Sequence, residues 1–171
     1  MENSNKLDSR KDNSQFVILE KINSALGALG IEDQYIKAPD FLPEYEVLKG
    51  KKILIVDDIK GVIANNLPEF IVATDGNAGA VCHTEQSFDE LVSEILASKP
   101  DIILMDYSLA NRITGIDVIN ELKANGYTGK TVGYSSEKSR DAEFKRAGAI
   151  GSINKTGYEV SDSVKALISL L

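Results

Sequence analysis

Four short apolar runs in this chain each end at polar side chains suited to metal and phosphoryl chemistry. The groups that follow these runs are Asp57-Asp58, Asp106, Ser135-Ser136 and Lys155. If the runs are parallel strands, their carboxyl ends meet at one edge of a sheet, where α/β proteins bind ligands. Three carboxylates suit a hard cation such as Mg²⁺, whereas a hydroxyl and an ammonium group suit phosphoryl oxygens. The sequence therefore predicts a single polar site for both.

The elements that must position these residues alternate as short β-rich runs and helical patterns from Lys51 onward. This alternation is typical of βαβ units. Strands are predicted at residues 53–56, 80–84, 101–105, 132–134 and 152–154. Right-handed crossovers between them predict a small doubly wound sheet with helices on both faces.

Five helices are expected in this region. The first, over residues 59–71, should kink or break at Pro68, since proline inside a helix costs about 3 kcal/mol. The second should begin with a capping box of Ser87 and Glu90 and stop before Pro100. The others are predicted over residues 114–126, 137–147 and 161–171.

The first 50 residues predict two further segments. Residues 1–14 are polar and aperiodic, so we expect a disordered tail. Residues 15–50 should form an amphipathic helix closed by Gly30 and then a linker or strap. The apolar stripe of this helix comprises Leu19, Ile22, Leu26 and Leu29. It spans less than two heptads, so docking on its own domain or on a partner is favoured over a homodimeric coiled coil.

Composition excludes several classes of protein. The chain has 171 residues, 43% of them hydrophobic, which suits one domain plus an extension. A net charge of −7 argues against direct nucleic-acid binding, which needs basic surface. No apolar run approaches the roughly 20 residues of a membrane span, and no signal peptide is visible, so we expect a cytoplasmic protein. Cys82 is the only cysteine, which excludes an intrachain disulfide.

Five segments in order, within residues 51–171, resemble the receiver domains of response regulators. They are Ile-Leu-Ile-Val-Asp-Asp (53–58), Asp-Ile-Ile-Leu-Met-Asp (101–106), Gly-Ile-Asp-Val-Ile (115–119), Gly-Tyr-Ser-Ser (133–136) and Ala-Gly-Ala-Ile-Gly-Ser-Ile-Asn-Lys (147–155). The resemblance implies a chemotaxis-type, flavodoxin-like fold with a five-stranded parallel sheet in the order 2-1-3-4-5.

The resemblance also implies roles for single residues. Asp106 would be the phosphoacceptor, taking its phosphoryl group from a histidine kinase, a histidine phosphotransfer protein or a small phosphodonor. Asp57 and Asp58 would bind Mg²⁺, or alternatively Mn²⁺, together with Asp106 and the backbone carbonyl of Ser108. Such a protein catalyses its own aspartyl phosphorylation and dephosphorylation and is not a multiple-turnover metabolic enzyme.

Two further roles concern the phosphoryl oxygens and the resulting switch. Lys155 would contact one oxygen, and the hydroxyl of Ser135, favoured over Ser136 by strand alternation, would donate to another. The sequence departs from the receiver pattern at two informative positions. Thr156 follows Lys155 where proline is usual, and Ser152 stands where the pattern has a switch aromatic.

The function predicted from these residues is that of a single-domain response regulator in a two-component or phosphorelay system. The chain ends at Leu171, just after the last predicted helix, so we expect signalling through an unknown downstream protein. The alternative is an unphosphorylated pseudo-receiver that acts as a constitutive interaction module. A phosphatase of the aspartyl-phosphate type is disfavoured, because Ile59 and Ser108 stand where such enzymes need a second aspartate.

Overall fold

A parallel sheet of five strands in the order 2-1-3-4-5 organises the described part of the chain. The computed structural model describes residues 3–32, 35–155 and 160–171. The strands are β1 (Ile53–Asp57), β2 (Ala78–Cys82), β3 (Ile102–Met105), β4 (Lys130–Ser135) and β5 (Ser152–Asn154). The helices are α1 (Asn3–Ala28), α2 (Lys60–Ala73), α3 (Phe88–Ser98), α4 (Gly115–Ala124), α5 (Asp141–Arg146) and α6 (Val160–Leu170). The predicted flavodoxin-like strand order is confirmed.

Two apolar layers enclose the sheet, one on each face. β1 and β3 are buried along their whole length, because helices cover both of their faces. Side chains alternate between the layers, so that Ile53 and Ile55 face α1, α2 and α6 whereas Leu54 and Val56 face α3, α4 and α5. The strands are therefore fixed from both sides, and so are the loops at their carboxyl ends.

The strand register brings the predicted site residues to one level. Val56 of β1 pairs with Met105 of β3, so Asp57 and Asp106 come next on neighbouring strands. Ser135 of β4 pairs with Asn154 of β5, which places Lys155 one residue beyond. The carboxyl edge of the sheet thus collects the polar groups that the sequence locates after separate apolar runs.

Helix α1 begins earlier than the sequence indicates. We expected a disordered tail over residues 1–14, but the helix starts at Asn3. Residues 3–14 contain neither proline nor glycine, so nothing in the chain stops a helix from continuing backwards from its docked portion. The docked portion buries Ile22 and Leu26 completely against the layer that contains α2.

We expected a kink or two short helices at Pro68, and the second expectation is wrong, since α2 runs as one helix through this residue. Proline lacks the N–H that would bond the carbonyl four residues earlier, which belongs to Ala64. The hydroxyl of Tyr35 donates to that carbonyl instead, at 3.2 Å. A partner from the strap, residues 31–50, thereby satisfies the acceptor that proline leaves without a helical donor.

Two element boundaries also differ from the predictions. Strand β2 lies two residues earlier than expected. Its last residue, Cys82, pairs with the last residue of β1, Asp57, so both strands end at the same level. The helix expected over residues 137–147 divides into a 3₁₀ turn, Lys138–Arg140, and the short α5. Within the ranges that the structure describes, no helix has both the length and the hydropathy to cross a membrane.

Candidate functional site

Three carboxylates converge at the carboxyl edge of the sheet. Asp57, Asp58 and Asp106 each offer an oxygen that lies within 4.8 Å of the other two. Asp57 is fully buried and its Oδ1 accepts a bond of 2.9 Å from the N–H of Ile59, whereas Asp58 is half-buried. Because clustered carboxylate oxygens are the ligands that Mg²⁺ prefers, the donor set fits this cation.

Lys155 links two of these carboxylates. Its Nζ lies 2.6 Å from Asp57 Oδ2 and 2.7 Å from Asp106 Oδ1, and its side chain is 9% exposed. Asp106 also accepts a bond of 2.6 Å from the backbone N–H of Tyr107. Burial raises the pKa of Asp106 above its ordinary value, while the bond to Lys155 and the charge of its ammonium oppose that shift. The site therefore holds the carboxylate of Asp106 against a fixed cation.

Ser135 lies at the end of β4, beside this cluster. It is buried, whereas Ser136 is exposed. The Oγ of Ser135 accepts a bond of 3.1 Å from the N–H of Glu137, and its carbonyl accepts one of 3.3 Å from the N–H of Lys155. The bond from Glu137 uses an acceptor lone pair, so the hydroxyl proton can still be donated to a ligand.

The loop after Asp106 folds back on itself. Ser108 forms an isolated antiparallel bridge with Thr114, and Gly115 donates its N–H to the carbonyl of Tyr107 at 2.8 Å. A side chain at Gly115 would overlap the carbonyl oxygen of Asp106, which explains why a glycine stands there. That the carbonyl of Ser108 binds a metal stays a prediction.

The remaining residues named from the sequence lie outside the carboxylate cluster or outside the described residues. His83 is fully buried after β2, and its Nε2 lies 3.0 Å from the carbonyl oxygen of Gln86, as expected of a strand-end histidine. Burial raises the pKa of the Cys82 thiol. Ser152 of β5 donates its hydroxyl to Asp141 Oδ1 at 2.9 Å. Thr156 lies outside the described residues.

Sequence reasoning missed two residues next to the site, Tyr107 and Arg140. The guanidinium carbon of Arg140 lies 4.0 Å from the centre of the Tyr107 ring, and the two side chains are also hydrogen-bonded. Tyr107 has a signal in the sequence, because it directly follows the carboxylate at the end of β3. Arg140 has none, since its contact partner lies 33 positions earlier in the chain.

Comparison with known proteins agrees with the fold. The sequence model of the response regulator receiver domain matches residues 53–165. Among the curated proteins compared, none matches the chain.

Solved structures of receiver domains and response regulators share the fold of this chain. The receiver domain of a Francisella response regulator is 15% identical, with a TM-score of 0.54, over 70% of this chain and 95% of that one. A LuxR-family DNA-binding response regulator from Staphylococcus aureus is 13% identical, with a TM-score of 0.56, over 70% and 98%. The receiver domain of the Arabidopsis thaliana histidine kinase CKI1, complexed with Mg²⁺ and BeF₃⁻, is 18% identical, with a TM-score of 0.54, over 74% and 95%.

Proposed function

This chain belongs to the response regulator receiver domain family, and we propose that it accepts a phosphoryl group on Asp106 and signals through protein–protein contacts. Receiver domains act in two-component and phosphorelay signalling, where they interact with histidine kinases or phosphotransfer proteins. The observation that carries the proposal is the buried carboxylate of Asp106, paired with Lys155 at 2.7 Å beside two further aspartates. A carboxylate in this position can act as a nucleophile and form an aspartyl phosphate.

The proposed reaction transfers a phosphoryl group from nitrogen to oxygen. An oxygen of Asp106 attacks the phosphorus of a phosphohistidine, the O–P bond forms, and the N–P bond breaks. The departing imidazole keeps the electron pair of that bond and takes up a proton. Asp57, Asp58 and Asp106 would hold Mg²⁺, whose positive charge would reduce the repulsion of the anionic nucleophile and the anionic phosphoryl group.

Lys155 and Ser135 complete the site by binding the transferred group. The ammonium of Lys155, already beside Asp106, can donate to a phosphoryl oxygen without a large movement. The hydroxyl of Ser135 can turn from its place at the start of the loop and donate to another. The complex of the CKI1 receiver domain with Mg²⁺ and BeF₃⁻ supports the same ligands here.

The test is the mass of the intact protein after incubation with Mg²⁺ and phosphoramidate or acetyl phosphate. We expect the wild-type protein to gain one labile phosphoryl group and Asp106→Asn to gain none. Asp89→Asn is the matched control, because it removes an exposed carboxylate on α3; it should behave like the wild type. Mg²⁺ binding, measured by titration calorimetry, should be lost in Asp58→Ala.

Either of two results would overturn the proposal. A wild-type protein that gains no phosphoryl group from either donor and binds no Mg²⁺ would support the pseudo-receiver instead. Equal labelling of the wild type and Asp106→Asn would place the acceptor on another residue.

A further inference from the structure

Arg140, on the 3₁₀ turn before α5, joins three side chains in one cluster. Its Nε lies 3.1 Å from an oxygen of Glu137 and its Nη1 lies 3.0 Å from an oxygen of Glu143. The same Nη1 donates to the hydroxyl of Tyr107 at 3.2 Å, and the guanidinium plane covers the ring of that tyrosine. The planar fork of arginine allows these contacts at once, which the single ammonium of a lysine would not.

Two of these partners are bonded directly to residues of the phosphorylation site. The backbone N–H of Tyr107 donates to the carboxylate of Asp106 at 2.6 Å. The backbone N–H of Glu137 donates to the hydroxyl oxygen of Ser135 at 3.1 Å. Arg140 is therefore one residue removed from both the phosphoacceptor and the hydroxyl that binds the phosphoryl group.

The remaining contacts lead into α5. The hydroxyl of Tyr107 donates to Glu143 at 2.9 Å, and its ring meets Phe144 edge to face with the ring centres 6.0 Å apart. Phe144 is fully buried and packs so closely on Gly133 of β4 that any larger residue there would overlap its ring. The Tyr107 ring thus lies between the guanidinium of Arg140 and two residues of α5.

On this geometry, and resting on the proposed phosphorylation of Asp106, we propose that Arg140 is a positioning residue that couples the phosphorylation site to α5. A phosphoryl group adds acceptor oxygens beside Asp106 and draws the hydroxyl of Ser135 toward them. Ser135 then moves away from the N–H of Glu137, and the carboxylate of Asp106 that Tyr107 bonds becomes an acyl phosphate, a mixed anhydride. Both changes reach Arg140, and through it Glu143 and α5.

A second route from the sheet to α5 exists in the structure and provides the control. Ser152 of β5 donates its hydroxyl to Asp141, the first residue of α5. Ser152→Ala removes this bond and leaves the Arg140 cluster intact. Arg140→Gln removes the charge and the fork but keeps a polar side chain at a position that is 32% exposed, so the fold should tolerate it.

The experiment is backbone amide NMR of the full chain with Mg²⁺, before and after addition of BeF₃⁻ as a phosphoryl mimic. In the wild type and in Ser152→Ala, we expect the amides of α5 to shift when BeF₃⁻ binds. In Arg140→Gln, the amide of Tyr107 should still report binding, but the amides of α5 should move no more than those of α3. The affinity for BeF₃⁻ should rise roughly two- to fivefold in that variant, since the loop is no longer held in its resting position.

Two further variants separate the parts of the contact. Tyr107→Phe keeps the ring under Arg140 and removes the hydroxyl bonds, while Arg140→Lys keeps the charge and removes the fork; both should weaken the response of α5. An α5 response in Arg140→Gln equal to that of the wild type, or one lost in Ser152→Ala, would overturn the inference. Failure of the wild type to bind BeF₃⁻ at all would instead overturn the proposed function, and this inference with it.

Discussion

At the scale of single residues, the site is defined by buried charges that compensate one another. Asp57 is fully buried and Asp106 is 7% exposed, so neither carboxylate can rely on water for its solvation. Lys155 supplies a cation to both at hydrogen-bonding distance. A buried charge left without its partner is costly, because the desolvation penalty then has no compensation. Lys155 therefore contributes to the stability of the fold, in addition to the phosphoryl binding that we propose for it.

Replacing Lys155 tests this point directly. We expect Lys155→Ala to lower the free energy of unfolding at neutral pH by about 3 kcal/mol, measured by urea denaturation. Saturating Mg²⁺ should restore part of the loss, since a cation bound by the same aspartates stabilises the folded state. Lys145→Ala is the control, because Lys145 forms an exposed ion pair with Asp141 at 2.8 Å; it should cost less than about 0.5 kcal/mol. Equal losses in the two variants would contradict the argument.

A substitution at Gly115 tests the close approach of α4 to Asp106, the proposed phosphoacceptor. A methyl group at this position would overlap the carbonyl oxygen of Asp106 and crowd the side chain of Met105. Gly115→Ala should therefore slow phosphorylation by phosphoramidate, measured by intact mass, and lower the unfolding free energy by roughly 1–3 kcal/mol.

The control for Gly115 is the equivalent change on another helix. A methyl group at Gly61 of α2 would meet no atom within 4 Å. Gly61→Ala should therefore stabilise the protein by about 0.5–1 kcal/mol, the usual gain in helix propensity. If both changes stabilise, the close contact at Gly115 is not rigid.

At the scale of elements, α2 shows how a helix continues through a proline. The carbonyl of Ala64 has no helical donor because Pro68 lacks an N–H, and the hydroxyl of Tyr35 donates to it at 3.2 Å. Asn23 of α1 fixes Tyr35 in turn, with its side chain bonded to both the N–H and the carbonyl of that residue at 2.9 and 3.0 Å. The irregular strap thus completes the hydrogen bonding of a helix in the core.

A double-mutant cycle measures this compensation. Tyr35→Phe alone should lower the unfolding free energy by about 1 kcal/mol, because Ala64 then loses its donor. In a Pro68→Ala background, residue 68 provides an N–H, and the same change should cost measurably less. We expect a coupling energy of about 0.5–1 kcal/mol from denaturation of the four proteins. A coupling of zero would mean that the hydroxyl contributes nothing through Ala64.

The elements also indicate how much of the structure the sequence could predict. Local signals were sufficient where a contact spans a few residues, as in the capping box of Ser87 and Glu90, whose two reciprocal bonds are present. The alternation of strands and helices predicted a doubly wound parallel sheet with the three aspartates at one edge, whereas the strand order 2-1-3-4-5 came from the resemblance to receiver domains. Tyr35 and the carbonyl that it bonds, that of Ala64, are 29 positions apart, and Tyr107 and Arg140 are 33 positions apart. No local pattern in the sequence encodes such pairs.

At the scale of the whole molecule, side chains of α1 from Ile18 onward and of the strap after it belong to the core that also contains strand residues of the sheet. Ile22, Leu26, Tyr45 and Leu48 are completely buried in the same apolar cluster as strand residues of the sheet. The hydroxyl of Tyr45 donates to Glu69 of α2. The family match begins only at Ile53, yet the structure gives the segments before it the burial of core elements.

This packing predicts that α1 and the receiver domain unfold together. Ile22→Ala should lower the unfolding free energy of the whole protein by about 2–4 kcal/mol, since it leaves a cavity between α1 and the sheet layer. Phe16→Ala, at a position on the same helix that is 59% exposed, should change it by less than about 0.5 kcal/mol. Far-UV circular dichroism follows the helices, and fluorescence of the six tyrosines follows tertiary packing, because the chain has no tryptophan. If α1 belongs to the core, the two probes must give coincident transitions in both variants. A separate early loss of helix in Ile22→Ala, with the tyrosine signal unchanged, would make α1 an independent unit resting on the receiver domain.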